Sequence, residues 1–237
     1  MSDWAMKRFW KETGVAPGEG GWTVTLDGRP IRTPAKAPLA LPTRAYAEAC
    51  AAEWEAQQGE VRPETMPLTR SANAAIDKVA IQFDEVAGLI AAYGETDLLC
   101  YRAEGPDSLV ARQAAAWDPL LDWAAETLGA RLAPTAGIVH RPQDPDALAR
   151  LAAATRAFDP FELAAFHDLV ALSGSLVIGF AAARGAEPPE TLWTLSRIDE
   201  DWQAEQWGED EEAAAQAAHK KRAFLCAAHI FSLLARD

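Results

Sequence analysis

Residues 161 to 184 read FELAAFHDLVALSGSLVIGFAAAR, apolar on nearly every side of any helix they could form. Such a stretch must be surrounded, either by lipid or by the rest of its own chain. Lipid is the poorer fit, because Glu162, His167 and Asp168 would lie too deep and the chain offers neither a second span nor a positively charged flank. The stretch is therefore expected to be the central helix of a soluble bundle. Ser173-Gly174-Ser175 would let a neighbouring helix approach closely, and His167 is expected to be a satisfied core residue.

Other helices must then cover it, and the second half of the chain supplies them. Residues 107 to 128 place Leu109, Trp117, Leu120, Trp123 and Leu128 at helical spacing, with Pro119 expected to kink or divide the helix and Gly129 to close it. Asp144-Pro145 opens another helix to about Ala157, with the carboxylate as cap and proline in the first turn. GIVH, residues 137 to 140, reads as a short strand or a buried crossing. A last helix begins with Glu209-Asp210-Glu211-Glu212 and carries Phe224, Ala228, Phe231 and Leu234 as an apolar strip.

The first half has a different grammar. In WTVTLDGRPIRTP, residues 22 to 34, Trp22, Val24 and Leu26 alternate before Asp27-Gly28, a pair that tolerates the positive φ of a two-residue hairpin turn. Thr43 can cap a helix to about Gln58, with Tyr46, Cys50 and Trp54 on one face and Gly59 as the stop. Arg62-Pro63 and Met66-Pro67 should hold the next piece extended. A single helix is then expected from Ser71 to Tyr93, with Ile76, Val79, Phe83, Val86 and Ile90 on its stripe, and a strand or extended link over Leu98 to Tyr101. The expected class is α+β: a small β-containing N-terminal domain, residues 1–104, followed by a larger all-α domain, residues 105–237.

Composition narrows the partners. A net charge of −13, with no basic run longer than His219-Lys220-Lys221-Arg222, argues against nucleic acid and anionic membranes. Cys50, Cys100 and Cys226 are odd in number and far apart, which suits free thiols in a reducing compartment. Glu95 and Asp97 have no histidine at a metal-binding distance in sequence, and Gly18-Glu19-Gly20-Gly21 lacks the lysine and hydroxyl of a phosphate loop. Neither cofactor nor metal is expected. Binding, not turnover, is left as the chemistry.

The surface that would do it is TLWTLSRIDEDWQAEQWGEDEE, residues 191 to 212. On one helix Leu192, Leu195, Ile198 and Trp202 make a stripe, Asp199, Glu200, Asp201 and Glu205 surround it, and Gly208 ends it just after a second indole, Trp207. A solvated face has no use for two tryptophans, and a buried one could not hold these acids without partners. Aromatic anchors rimmed by charge suit a face that grips another protein.

The order of WTVTLDGRPIRTP, AAEWEAQQGEVRPETMPLT, GETDLLCYRAE, AAWDPLLDWA and LSRIDEDWQAEQWGEDEE resembles the family of ATP synthase assembly chaperones named "ATP-twelve", from about Trp10 to the last helix. The resemblance implies a chaperone that holds the unassembled alpha subunit of the enzyme's soluble catalytic head and masks the surface later covered by the beta subunit. It implies no nucleotide or metal. The mitochondrial members' presequence is lacking, which points to a bacterial, cytoplasmic homologue, expected to be a monomer. Motif matching marks Glu200, Asp201, Trp202, Glu205, Trp207 and Gly208 as the partner-facing set, together with Trp54, whose spacing from Tyr46 and Cys50 equally suits the core. Two other readings are an acidic-cleft enzyme using Glu200, Asp201 and Glu205 as acid/base groups, and a structural subunit of the finished complex.

Overall fold

The computed structural model describes residues 7–235. By packing, the chain clusters into two compact units, Met1–Phe83 with Pro160–Ala165 and His229–Asp237, and Asp84–Asp159 with Phe166–Ala228. Residues 84–104 are thus grouped with the helical part of the chain. Residues 94 to 98 are fixed by contacts far along the sequence: Gly94 lies against the Leu148, Leu151 and Leu176 side chains, and the Leu98 N–H donates to the Gly174 carbonyl at 3.1 Å. Turn residues alone could not announce such pairings.

The first unit holds a three-stranded antiparallel sheet, β1 (Thr13–Gly18), β2 (Gly21–Leu26) and β3 (Arg29–Pro30), in that order. Asp27 and Gly28, at φ 49° and 76°, make the expected turn, and Val24 and Leu26 are buried. The Asp27 carboxylate also accepts the Lys11 and Glu12 N–H groups at 2.9 Å, which holds it below the usual carboxylate range. Strand β1 is new. Its proline sits on an edge strand, where a missing N–H does least harm. Gly21 is required by a close approach: at φ 148° a Cβ there would lie 2.2 Å from the Leu41 carbonyl oxygen, where Trp22 and Leu41 exchange two backbone hydrogen bonds.

Helix α1 (Arg44–Glu55) starts as expected, with Thr43 Oγ1 accepting the Tyr46 N–H at 3.1 Å and Tyr46, Ala47 and Cys50 buried. The piece after it is not extended. Pro63–Thr65 form a 3-10 turn, and α2 (Pro67–Ala74) begins where the half-buried Glu53 carboxylate accepts the Leu68 and Thr69 N–H groups at 2.7 and 2.8 Å. The expected helix from 71 to 93 is likewise in pieces: α2, a π turn over Ala75–Val79, and α3 (Phe83–Ala91). Its buried line runs through Ala72, Ala75, Val79, Ala87 and Ile90, leaving Ile81 75% exposed. Small alanines carry that face, so a stripe chosen by large apolar residues misplaces it.

In the second unit Tyr101–Arg102 (β4) pair in parallel with Thr135–Ala136 (β5), so the strand expected at 137–140 lies just before it. Helix α4 (Asp107–Thr127) runs unbroken through Pro119 and buries Leu109, Gln113, Trp117, Leu120, Leu121 and Ala124. Asp144 caps α5 (Pro145–Arg156), accepting the Asp146 N–H at 3.1 Å.

The apolar stretch is two helices, α6 (Pro160–Ser173) and α7 (Leu176–Ala183), broken at Gly174 with φ 74° and restarted by Ser175 Oγ, which accepts the Ile178 N–H at 3.0 Å. Leu176 to Ala182 are all buried. Gly179 lets α6 and α7 touch, since a Cβ there would come within 2.6 Å of Val170. Among the described residues no helix is long and apolar enough to cross a membrane. His167 is not in the core; it is exposed and paired with Asp168 at 3.0 Å. The remaining helices are α8 (Pro189–Leu195), α9 (Ile198–Trp207) and α10 (Glu211–Leu234), the last capped by Asp210, which accepts the Glu212 and Ala213 N–H groups.

Candidate functional site

The acidic, tryptophan-bearing stretch divides where Ser196 turns back on itself, its hydroxyl donating to the Trp193 carbonyl at 2.7 Å, and Arg197 leaves helical geometry at φ −113° and ψ 11°. The stripe Leu192, Leu195, Ile198 and Trp202 is therefore split between α8 and α9. The split gives α9 its own N-terminus, and Asp199, Glu200 and Asp201 fill its first turn, where the partial positive charge of the free N–H groups favours them.

Helices α8 and α9 are tied to α4 by groups of high specificity. Asp199 Oδ1 accepts the Gln113 amide at 2.6 Å, and the same glutamine, 1% exposed, accepts the Ala103 N–H at 2.8 Å. Arg112 Nη1 lies 2.8 Å from both oxygens of Glu205, and the fully buried Trp117 donates its indole N–H to the Leu195 carbonyl at 2.8 Å. Glu200 pairs along its own helix with Arg197 at 2.7 Å, whose guanidinium lies over the Trp193 ring. Two of the three sequence-marked acids thus carry arginine partners. Asp201 is exposed and has no ion pair among the described residues. All three carboxylates ride on the one helix α9.

Trp202 is half-buried, whereas Trp207 is 79% exposed at the end of the helix, where Gly208, at φ 92°, stops it and donates its N–H to the Ala204 carbonyl. Both indoles line an open groove of about 760 Å³, whose other walls include Tyr101, Glu104, Leu109 and Ile138. Ile138 and Val139 are 94% and 72% exposed. Their loop is nevertheless anchored, because His140 sits between Tyr101 and Glu95, with Nδ1 3.1 Å from the hydroxyl and Nε2 3.2 Å from the carboxylate. Sequence reading missed Glu104, Arg112, Gln113 and Ile138 as members of this surface. Only the run of exposed-type apolar residues at 138–139, outside any amphipathic pattern, offered a hint.

Trp54 belongs to the first unit, while every groove residue belongs to the second. Its half-buried ring meets Trp10 at 5.3 Å with the planes at 64°, and Arg8 lies over Trp10 from 5.3 Å. Within the first unit it packs α1 against the Trp10 segment.

Two perturbed groups lie apart from the groove lining. Burial pushes the Asp97 carboxyl up, against hydrogen bonds from the Ser175 hydroxyl and the Val177, Leu99 and Leu176 backbone. Burial likewise pushes the Cys100 thiol up to about 12, which keeps it protonated and unreactive. Among the described residues no group of three histidine, cysteine or acidic side chains is placed to hold a metal ion.

Residues 7–125 match the family model described as "ATP12 chaperone protein". The chain is 53% identical to Atp12 from Paracoccus denitrificans, whose crystal structure superposes with a TM-score of 0.94 over 97% of this chain and 98% of that one. A mutant of that bacterial protein gives 0.95 at the same identity, over 99% and 100%. A curated relative, "Protein atp12, mitochondrial" of Schizosaccharomyces pombe, is 26% identical over 221 residues, 88% of this chain and 76% of its own length.

Proposed function

The chain belongs to the ATP12 chaperone protein family, chaperones of ATP synthase assembly, and from that premise we propose that it holds the unassembled alpha subunit of the soluble catalytic head until the beta subunit replaces it. The client would meet the α9 face, with Trp202 and Trp207 as anchors and Asp201 at the rim. The observation that carries this reading is Trp207, a large indole 79% exposed on an ordered helix end beside an open groove. Solvated helices gain nothing from such a residue, whereas tryptophans are over-represented among the few side chains that dominate binding energy. The rest of the stretch has a different task in this reading: Glu200 and Glu205, paired with Arg197 and Arg112, orient the helix more than they touch the client.

A subunit awaiting its neighbour exposes apolar surface, and a transient cover must be displaceable. Net affinity therefore has to stay modest even if the contact reaches the standard size of about 1,600 Å². The protein is proposed to work as a cytoplasmic monomer, by binding and release without turnover, and to be absent from the finished enzyme.

Co-expression with alpha and beta subunits separately, followed by size exclusion, tests the reading directly. A complex with alpha and none with beta is expected; the reverse, or no complex with either, overturns it. Trp207→Ala should weaken alpha capture roughly tenfold or more, as loss of an anchor does. Asp201→Lys should weaken it by roughly fivefold, a rim-charge effect that fades at high salt. Neither residue has a partner to lose within the described chain, so circular dichroism should be unchanged for both. Capture at wild-type strength by both variants would move the contact off α9.

A further inference from the structure

The groove beside α9 has a sign of charge that its own lining does not neutralise. Its charged lining residues are Arg102, Glu104 and Asp199. The arginine is already engaged: Nε donates to the Leu99 carbonyl at 2.7 Å, Nη2 pairs with Asp118 at 2.8 Å, and the guanidinium lies over the Trp117 ring at 5.2 Å. Glu104 has no ion pair among the described residues, and its carboxyl lies against Gly137. Asp199 has only the neutral Gln113 amide. Two anions without a cation thus face a recess walled by Leu109, Ile138 and Trp202, and apolar walls strengthen the field between them.

We propose that this groove receives an arginine side chain carried on an apolar, extended segment of the client. Indole faces and carboxylates together select a flat cation over either an apolar or an ammonium group. A guanidinium stacks on tryptophan, forks to a carboxylate, and sheds water more readily than lysine does. The neighbours of that arginine would lie on Trp207, Ile138 and Val139, which are exposed on the same surface. Only the identity of the segment's owner rests on the chaperone reading above; the chemistry of the groove does not.

The probe is a short capped peptide of alternating leucine and serine with one central arginine, titrated into full-length protein labelled with 15N at the tryptophan indoles. The comparison peptides carry citrulline or lysine at the centre. The arginine peptide is expected to move the Trp202 and Trp207 indole signals and to bind roughly fivefold to tenfold tighter than citrulline. The preference should vanish in the double variant Glu104→Gln with Asp199→Asn, in which asparagine keeps an oxygen for the Gln113 amide. Equal binding of citrulline would reduce the groove to an apolar one, lysine as tight as arginine would remove the guanidinium, and unmoved indoles would remove the site; each overturns the proposal. Alpha capture by the same double variant is read separately. If wild type captures no alpha subunit, the client assignment fails while the peptide result stands.

Discussion

Replacing Trp54 by arginine is expected to unfold the first unit rather than blunt a binding surface, at a cost of about 3–5 kcal/mol. The indole nitrogen is buried and the ring closes edge-on against Trp10, itself 3% exposed, so α1 and the Trp10 segment share one aromatic contact. Truncation would lose that packing. Arginine does worse, because a guanidinium placed there must either give up its hydration or swing outward and leave a hole, and Arg8 over Trp10 already supplies like charge. Urea unfolding followed by far-UV circular dichroism should show a lower midpoint. Trp54→Phe, which keeps a ring against Trp10, should cost only about 1 kcal/mol and leave capture of the alpha subunit intact. A Trp54→Arg protein with the wild-type midpoint but no capture would return Trp54 to the partner-facing set.

How far such sites could be read from residues alone follows the range of the interactions. Thr43, Asp144, Gly129 and the Asp27-Gly28 turn all act within a few positions of themselves, and each did what its chemistry dictates, whereas α1 already stops at Glu55, short of the Gly59 expected to end it. Strand β1 was invisible because TGVAPG has a proline, two glycines and no alternation; it is a strand only because β2 lies beside it. The breaks at Gly174 and at Ser196-Arg197 were hidden by apolar spacing that continues across them, since periodicity marks a buried face without saying that one helix carries it.

The site divides in the same way. Trp202, Trp207 and the acids were legible because indoles and carboxylates in one stretch conflict with each other's preferred surroundings. Their partners were not. Arg112 meets Glu205 across 93 positions and Gln113 meets Asp199 across 86, and nothing about an arginine or a glutamine on an amphipathic helix names its partner. Pairing divides the acids into Glu200 and Glu205, each held by an arginine, and Asp201, which has no ion pair among the described residues.

The largest effect expected in the second unit is at a residue that sequence reading passed over as a faint metal ligand. Asp97 is fully buried, and its two oxygens serve two elements: Oδ1 accepts the Leu99 N–H and Oδ2 the Val177 N–H, each at 3.0 Å. Val177 is in the first turn of α7, whose free N–H groups need acceptors where no water reaches. Asp97→Asn keeps the shape but turns one acceptor into a donor, so an N–H2 group faces a backbone N–H. The expected cost is about 3 kcal/mol, the upper range for a buried donor left unmatched. The pH dependence has a definite sign. Burial raises the Asp97 carboxyl above its ordinary 3.8, so the folded state binds the proton more tightly than the unfolded chain does. Stability from this group is then fully present below the unfolded value and is lost as pH rises through the folded one. Asparagine does not titrate. The stability gap between wild type and Asp97→Asn, measured by urea unfolding from about pH 4 to about pH 7, should therefore be widest at the acid end and narrow upward. A gap that widens toward neutral pH would mean that the hydrogen bonds outweigh desolvation and hold Asp97 as a carboxylate throughout.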